Sequence, residues 1–211
     1  SFLVKLIGMR TIILFSGGRE SLINLYREQR EHEDILLVLI NYGQKAFKHE
    51  LASTRYYADL FGIPYEVLSM KLLFPDGYKE GKSTHIINRN LLLLSYVVNR
   101  YHDKNIPLKI LLGIVNQYGE YNDGSADFLR DIQPVFKKMY PNLLVDSHSK
   151  KFSNFTSIDW VIKNCDTTHI WMCDNNHKKM CGTCIKCKDT LKMFKEKSKY
   201  WKQIEDKYEQ V

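Results

Sequence analysis

The cysteine residues toward the C-terminus are the first candidates for chemistry, because of their number and spacing. Four of the five cysteines fall within residues 173–187, namely Cys173, Cys181, Cys184 and Cys187. Gaps of two residues let neighbouring thiolates reach one ion, and a fourth thiolate from upstream completes a tetrahedron. Four thiolates leave no open coordination position, so the spacing predicts a structural zinc site. The sequence leaves His177 as the alternative to Cys173 for the fourth ligand, and free cysteines in a loop as the alternative to any metal site.

The use of cysteine also indicates a cellular setting. Clustering at metal-ligand spacing differs from a disulfide framework and is typical of a reducing compartment, so we expect a cytoplasmic location. Cys165 stands apart from the cluster. We expect it to be a small buried side chain rather than a catalytic thiol.

A glycine-containing turn near the N-terminus is the second candidate. Residues 16–21 (Ser-Gly-Gly-Arg-Glu-Ser) follow an apolar, strand-like run and precede a helical pattern. Two glycines let the backbone approach a phosphate closely, and the helix N-terminus offers N–H groups and a positive dipole end. The turn lacks the Gly-Lys-Ser/Thr of a Walker A loop and the Gly-x-Gly-x-x-Gly of a dinucleotide-binding fold. It therefore predicts a phosphate cradle of another type, and the simpler alternative is a tight turn with a serine cap.

The hydrophobic pattern predicts the elements that hold these motifs. Short β-rich apolar runs occur at residues 10–15, 35–41, 65–69, 108–112 and 143–145. Helical patterns alternate with them at 20–31, 45–61 (stopped by Gly62), 88–101 and 125–139. This order predicts the α/β class, with a parallel five-stranded sheet and flanking helices. The turns at 16–21, 41–45 and 113–123 should meet at the carboxyl edge of the sheet, and the polar residues 70–87 should form a loop.

Composition limits the partners and the organisation of the chain. The 211 residues carry a formal charge of +7, which favours anionic ligands. No apolar run is long enough to cross a membrane, and residues 1–8 lack a signal-peptide pattern. We interpret the lysine-rich tail, which also contains acidic residues, as a solvated helix face rather than a nucleic-acid surface. We predict an α/β domain over residues 9–164 and a helical zinc-binding appendage over residues 165–211.

The turn at residues 16–21 resembles the Ser-Gly-Gly-x-Asp-Ser loop of the PP-loop ATP pyrophosphatases, which cleave ATP between its α- and β-phosphates. Glu20 takes the place of the aspartate of that family. Together with the cysteine cluster, most of the chain is similar to the 7-cyano-7-deazaguanine synthase (QueC-like) family of the queuosine pathway. Further segments that carry the resemblance are 41–45 (Asn-Tyr-Gly-Gln-Lys), 88–90 (Asn-Arg-Asn), the loop that opens at Gly113, and 120–123 (Glu-Tyr-Asn-Asp).

The resemblance implies a reaction and a set of site residues. ATP, with Mg²⁺, would activate the carboxylate of 7-carboxy-7-deazaguanine, free ammonia would give the amide, and a second ATP would lead to the nitrile. ATP-binding residues would be Ser16, Gly17, Gly18, Glu20, Ser21, Gln44 and Gly113. The catalytic residues would be Lys45, Arg89 and Asp123. The bland alternatives are surface solvation for Lys45 and Arg89, and a turn-forming role for Asp123. A homodimer is a further expectation from the family.

Other functions stay open on the sequence alone. The enzyme could stop at 7-amido-7-deazaguanine or activate another acid. A non-catalytic zinc-knuckle module that binds nucleic acid or protein is a rival from another class, favoured by the basic charge and opposed by the intact glycine turn. A PP-loop enzyme that modifies tRNA by sulfur or nitrogen transfer would need a catalytic cysteine pair outside the metal set, and only Cys165 is spare.

Overall fold

The structure is a computed structural model that describes residues 8–31, 34–70, 86, 88–116, 122–197 and 204–209, with the side chains of 193–197 left aside. Most of the loop predicted at 70–87 lies outside the described residues. A five-stranded sheet forms the centre, in the order β3-β2-β1-β4-β5. Its strands are β1 (Arg10–Leu14), β2 (Ile35–Asn41), β3 (Tyr65–Ser69), β4 (Leu108–Leu111) and β5 (Leu143–Asp146). Every neighbouring pair is parallel, which confirms the predicted fold class.

Within the described residues, six α-helices accompany the sheet: α1 (Arg19–Glu28), α2 (Phe47–Phe61), α3 (Arg89–Tyr101), α4 (Ala126–Met139), α5 (Asn154–Asn164) and α6 (Ile185–Lys197). Their ends follow local chemistry. Gly62 ends α2 in the left-handed conformation, with φ of 63°. The Ser125 side chain accepts a hydrogen bond from the Phe128 N–H at the start of α4. In the described part of the chain, no helix combines the length and apolar character that a bilayer span requires.

Apolar side chains cover both faces of the sheet, as its continuous apolar strands require. Successive residues of a strand point to opposite faces, so Ile13 packs with α1, α2 and α5 while Ile12 packs with α3 and α4. The cysteine-rich segment extends the first of these two cores, because Met172, Met180 and Cys187 are buried in it. A single parallel bridge from Met180 to Tyr208 attaches the end of the described chain. A boundary at residue 165 stays a prediction.

A buried ionic cluster lies between α1, β1 and β4. The Glu28 carboxylate, which is fully buried, accepts hydrogen bonds from Lys109 Nζ at 2.7 and 3.0 Å and from the Thr11 hydroxyl at 2.9 Å. His148 Nε2 is 2.7 Å from the same carboxylate. Burial alone would raise the pKa of Glu28, but the bonds from His148 and Lys109 lower it to about 2. The carboxylate is therefore ionised and paired at neutral pH.

Candidate functional site

A cavity of about 230 Å³ opens at the carboxyl edge of the sheet, where the turns after β1, β2 and β4 meet. This is the position at which parallel sheets bind ligands. Six of the predicted site residues line it: Ser16, Glu20, Ser21, Gln44, Arg89 and Gly113. The arrangement brings together four segments that are far apart in sequence.

The turn after β1 requires glycine at one of its two glycine positions. Gly17 has φ of 73°, and a Cβ there would lie 2.2 Å from the Cβ of Ser53. Gly18 has φ of −76° and ψ of 165°, and it caps the N-terminus of α1. A Cβ on Gly18 would meet no protein atom closer than Ser16 Oγ at 3.5 Å. Packing therefore dictates Gly17, whereas Gly18 leaves room between Ser16 and Glu20, which both line the cavity.

The start of α1 lies close to the end of β4. The Ser21 hydroxyl donates to the Gly18 carbonyl at 2.9 Å and closes the first turn. A Cβ on Gly113 would lie 3.1 Å from the Cβ of Glu20, so a larger residue would push the helix start away. The first N–H groups of a helix have no partner within it. Glu20 and Ser21, in the first turn of α1, both line the cavity, and Glu20 Oε1 is 2.9 Å from Arg19 Nη2.

The β2 side of the cavity is shaped by Gln44. Its Nε2 donates to the Ile40 carbonyl at 2.9 Å and to Glu50 Oε2 at 2.7 Å, while its Oε1 accepts from the Tyr42 N–H at 3.0 Å. Both amide hydrogens of Gln44 are thus used within the protein. Gln44 holds the turn between β2 and α2, and its contact with a nucleotide stays a prediction. Burial raises the pKa of Glu50, although Lys186 and Gln44 act the other way.

The three residues predicted to be catalytic take different places. Arg89 opens α3 and lines the cavity. Lys45 is exposed and is not part of the cavity wall. Asp123 is buried, and its Oδ2 accepts from the Asn90 N–H at 2.7 Å while its carbonyl accepts from Asn90 Nδ2 at 2.7 Å. Asp123 therefore caps the helix that carries Arg89. Catalytic roles for all three stay predictions.

Two further charged side chains line the cavity, and the sequence patterns did not single them out as site residues. Glu50 comes from α2, and Lys186 comes from the first turn of α6, between two of the clustered cysteines. Lys186 Nζ pairs with Asp174 Oδ1 at 2.8 Å. No motif marks Lys186, because only tertiary folding brings the cysteine segment to the carboxyl edge of the sheet.

The four clustered cysteines form a compact set of thiols. Their sulfur atoms all lie within 4.8 Å of one another, and the set could hold a metal ion. Hydrogen-bonding distances are 3.5 Å for Cys173–Cys181, 3.9 Å for Cys173–Cys184 and 4.0 Å for Cys181–Cys187. A tetrahedral ion with metal–sulfur bonds of about 2.3 Å would separate its sulfurs by about 3.8 Å, which matches these distances.

The surroundings of the thiols also suit a metal. The N–H groups of Asn175 and Cys184 point at Cys173 and Cys181 sulfurs, each at 3.3 Å, and such donors stabilise thiolates. His177, the alternative fourth ligand, is exposed, and its Nδ1 is 3.7 Å from Glu209 Oε1. It is not part of the cluster. Burial raises the pKa of the separate Cys165 to about 12, so it is a protonated thiol at neutral pH.

The segment that leads into the cysteine cluster also contacts the glycine turn. The Trp171 N–H donates to the Gly17 carbonyl at 3.0 Å. The Ser53 hydroxyl donates to the His169 carbonyl, next to the point where Gly17 approaches Ser53. Trp171 is two residues before Cys173. A short stretch of chain, hydrogen-bonded to the glycine turn, therefore joins that turn to the cysteine cluster.

Known proteins resemble the chain both in sequence and in fold. A family model described as queuosine biosynthesis protein QueC matches residues 10–77. The 7-cyano-7-deazaguanine synthase 1 of Colwellia psychrerythraea is 25% identical, over 89% of this chain and 94% of that protein. The 7-cyano-7-deazaguanine synthase of Alteromonas mediterranea is 23% identical, over 88% of this chain and 93% of that protein.

Among solved structures, the U34-tRNA thiolase NcsA from Methanococcus maripaludis, with its 4Fe-4S cluster, is similar with a TM-score of 0.50. That likeness covers 93% of this chain and 69% of the thiolase chain at 14% identity, so it speaks for the shared fold. The sequence relatives span nearly the whole chain, and the predicted resemblance to the 7-cyano-7-deazaguanine synthase (QueC-like) family is confirmed.

Proposed function

We propose that the chain uses ATP to join ammonia to 7-carboxy-7-deazaguanine and then dehydrates the amide to 7-cyano-7-deazaguanine. The observation that carries the proposal is the cavity itself, in which the glycine turn, Gly113 and Arg89 meet at the carboxyl edge of the sheet. Its candidate phosphate-binding groups, the N-terminus of α1 and the Ser16 hydroxyl, suit a polyphosphate. The relatives named 7-cyano-7-deazaguanine synthase support a deazaguanine product, and the acid is the one that the family resemblance implies.

The first half-reaction activates the acid. A carboxylate oxygen of the acid attacks the α-phosphorus of ATP, the bond to the β-phosphate oxygen breaks, and pyrophosphate leaves with the electron pair. The N–H groups at the start of α1 and the Ser16 hydroxyl would bind the departing pyrophosphate, and such preorganised donors stabilise developing charge. Arg89 would hold a phosphate or the carboxylate through paired hydrogen bonds.

The second half-reaction forms the amide. Ammonia attacks the carbonyl carbon of the acyl-adenylate, AMP leaves, and the nitrogen loses a proton. A second ATP then activates the amide oxygen in the same way, and loss of AMP and of the N–H protons gives the nitrile. Burial raises the pKa of Glu50, which brings this cavity carboxyl closer to neutral pH, where it could exchange protons with the nitrogen.

Two metals have a place in this proposal. Magnesium, bound with ATP, would neutralise phosphate charge, and Glu20 is the carboxylate at the turn that would hold it. Zinc would occupy the four-cysteine cluster, where sulfur separations of 3.5–4.0 Å fit a single tetrahedral ion. A cluster of several irons would place the thiolates on different iron atoms and so farther apart. A thiolate site of this kind favours a reducing compartment, so we place the enzyme in the cytoplasm.

A product assay tests the function. Purified protein is incubated with 7-carboxy-7-deazaguanine, ATP and ammonium, and the bases and nucleotides are identified by mass spectrometry. We expect the nitrile, with two AMP formed per nitrile. Accumulation of the amide alone would reject the second step, and failure to consume the base would reject the substrate. Salt-sensitive binding of RNA with no AMP under any condition would favour the non-catalytic module instead.

A further inference from the structure

Lys186 enters the proposed reaction cavity from the metal-binding segment. It belongs to the first turn of α6 and lines the cavity with Tyr42, Glu50 and Arg89. The cavity walls otherwise come from the sheet and from α1, α2 and α3. Among the described residues of this wall, the cationic side chains are Arg89 and Lys186.

The Lys186 ammonium is charged and can reach a ligand. It forms an ion pair of 2.8 Å with Asp174, whose side chain is only 18% exposed, while the Lys186 side chain keeps 55% of its accessible surface. An ammonium has three N–H donors, and the pair with Asp174 leaves donors for a second partner. It interacts electrostatically with Tyr42 and Glu50, which follow β2 in the chain, so it lies on the β2 side of the cavity.

Both reactants proposed for this cavity, ATP and the acid, are anionic. ATP brings phosphates and the acid brings a carboxylate, and the donors of the glycine turn serve only one of these groups. A second cation on the β2 side offers a partner for the remaining oxyanion. A cation also screens the repulsion between the attacking carboxylate and the α-phosphate.

The metal centre fixes the place of this cation. Cys184 and Cys187 flank Lys186 in sequence and both belong to the thiol cluster. A metal bound to both cysteines would hold the backbone of the two residues between them, and so would fix the position of the Lys186 backbone from which the side chain extends. The cysteine cluster would then be part of the reaction site as well as of the fold.

We propose that Lys186 binds an oxyanion of the reactants, a phosphate of ATP or the carboxylate of the acid, and that the metal-bound cysteines hold it in place. This inference rests on the proposed function and deepens it. A purely structural role, in which Lys186 only pairs with Asp174 to stabilise the metal-binding segment, makes different predictions for kinetics and for metal content.

Three variants separate these roles. Lys186→Met removes the charge and keeps most of the length, Lys186→Arg keeps the charge, and Lys188→Met changes an exposed lysine that is not part of the cavity wall. Bound zinc, thermal unfolding, the affinity for the non-cleavable analogue α,β-methylene-ATP and the KM for the acid are measured for each. We expect Lys186→Met to retain zinc and to lose about tenfold or more either in nucleotide affinity or in the acid KM, since a charged hydrogen bond is lost.

The outcome also identifies which oxyanion is bound. Weaker analogue binding assigns Lys186 to ATP, and a raised KM for the acid alone assigns it to the carboxylate. Lys186→Arg should recover most of the loss, and Lys188→Met should show none. Unchanged affinity and KM in zinc-loaded Lys186→Met would overturn the inference. If the wild type binds the analogue but does not consume this acid, the proposed substrate fails while the nucleotide arm still tests Lys186.

Discussion

At the scale of single residues, the two glycines of the glycine turn are required for different structural reasons. Gly17 is held in a left-handed conformation against Ser53, whereas a Cβ on Gly18 would make only ordinary van der Waals contacts with the cavity residues Ser16 and Glu20. Similar substitutions at neighbouring positions should therefore have different consequences.

Gly17→Ala should destabilise the protein, because its Cβ would overlap Ser53 and its φ of 73° disfavours a side chain. The expected loss is about 1–3 kcal/mol in the free energy of unfolding, measured by urea titration. Gly18→Ala is the matched variant, and we expect it to keep the stability of the wild type while ATP binding weakens. Equal losses of stability in both variants would contradict this division of roles.

Asp123 offers a second test at this scale, because a cap and a catalytic carboxylate respond differently to substitution. Asp123→Ala should lower the stability by about 1 kcal/mol, since the Asn90 N–H at the start of α3 loses its acceptor. Asp123→Asn keeps an acceptor and should retain most of that stability, as thermal unfolding would show. Loss of activity in a stable Asp123→Asn variant would support the catalytic role predicted from the family resemblance.

At the scale of elements, most of the sheet and helices could be predicted from the sequence. The run at residues 35–41 is largely apolar because β2 is covered on both faces of the sheet. Gly62 ends α2 because the chain needs a left-handed residue there, and glycine adopts that conformation without strain. The parallel strand order also predicted that the turns after β1, β2 and β4 meet at the carboxyl edge of the sheet. Lys186 and the Asp123 cap could not be predicted, because each depends on contacts between segments distant in sequence.

The ionic cluster that joins α1 to β4 should make the free energy of unfolding depend on pH in the acidic range. The pKa of Glu28 is lowered to about 2 from 4.5, so the folded state favours the ionised form. Its contribution is complete above pH of about 4.5 and is lost as the pH falls toward 2, because the unfolded chain then binds the proton first.

The corresponding variant is Glu28→Gln, which leaves Lys109 buried without a counter-charge. We expect it to cost about 3 kcal/mol or more at pH 7 and progressively less below pH 4, measured by urea unfolding across the pH range. Asp34→Asn changes an exposed ion pair with Arg10 and is the control, with a small effect that salt removes. A pH-independent difference for Glu28→Gln would contradict the shifted pKa.

At the scale of the whole molecule, metal binding by the cysteine cluster and ligand binding in the cavity should depend on each other. The cysteine segment is buried in the core on the α1 side and bonds to the glycine turn through Trp171. Loss of a metal from the cysteine cluster would therefore disturb the glycine turn directly, because only a few hydrogen-bonded residues separate the two.

Removal of zinc by a chelator should lower both the thermal stability and the affinity for ATP, with about one zinc per chain in the starting protein by elemental analysis. Cys184→Ser should reproduce both losses. Cys165→Ser, which changes the thiol outside the cluster, should keep metal and ATP binding. Full ATP affinity in zinc-free protein would separate the metal centre from the cavity.

The bond between the Trp171 N–H and the Gly17 carbonyl also has a consequence for the order in which the enzyme is made. Gly17 precedes Trp171 in the sequence, so the glycine turn leaves the ribosome before Trp171 and the cysteines. The central sheet can assemble from residues that precede Trp171, but the turn gains its last support only when the cysteine segment docks. We expect nascent chains to acquire tight nucleotide binding late, so that an unfinished enzyme does not consume ATP.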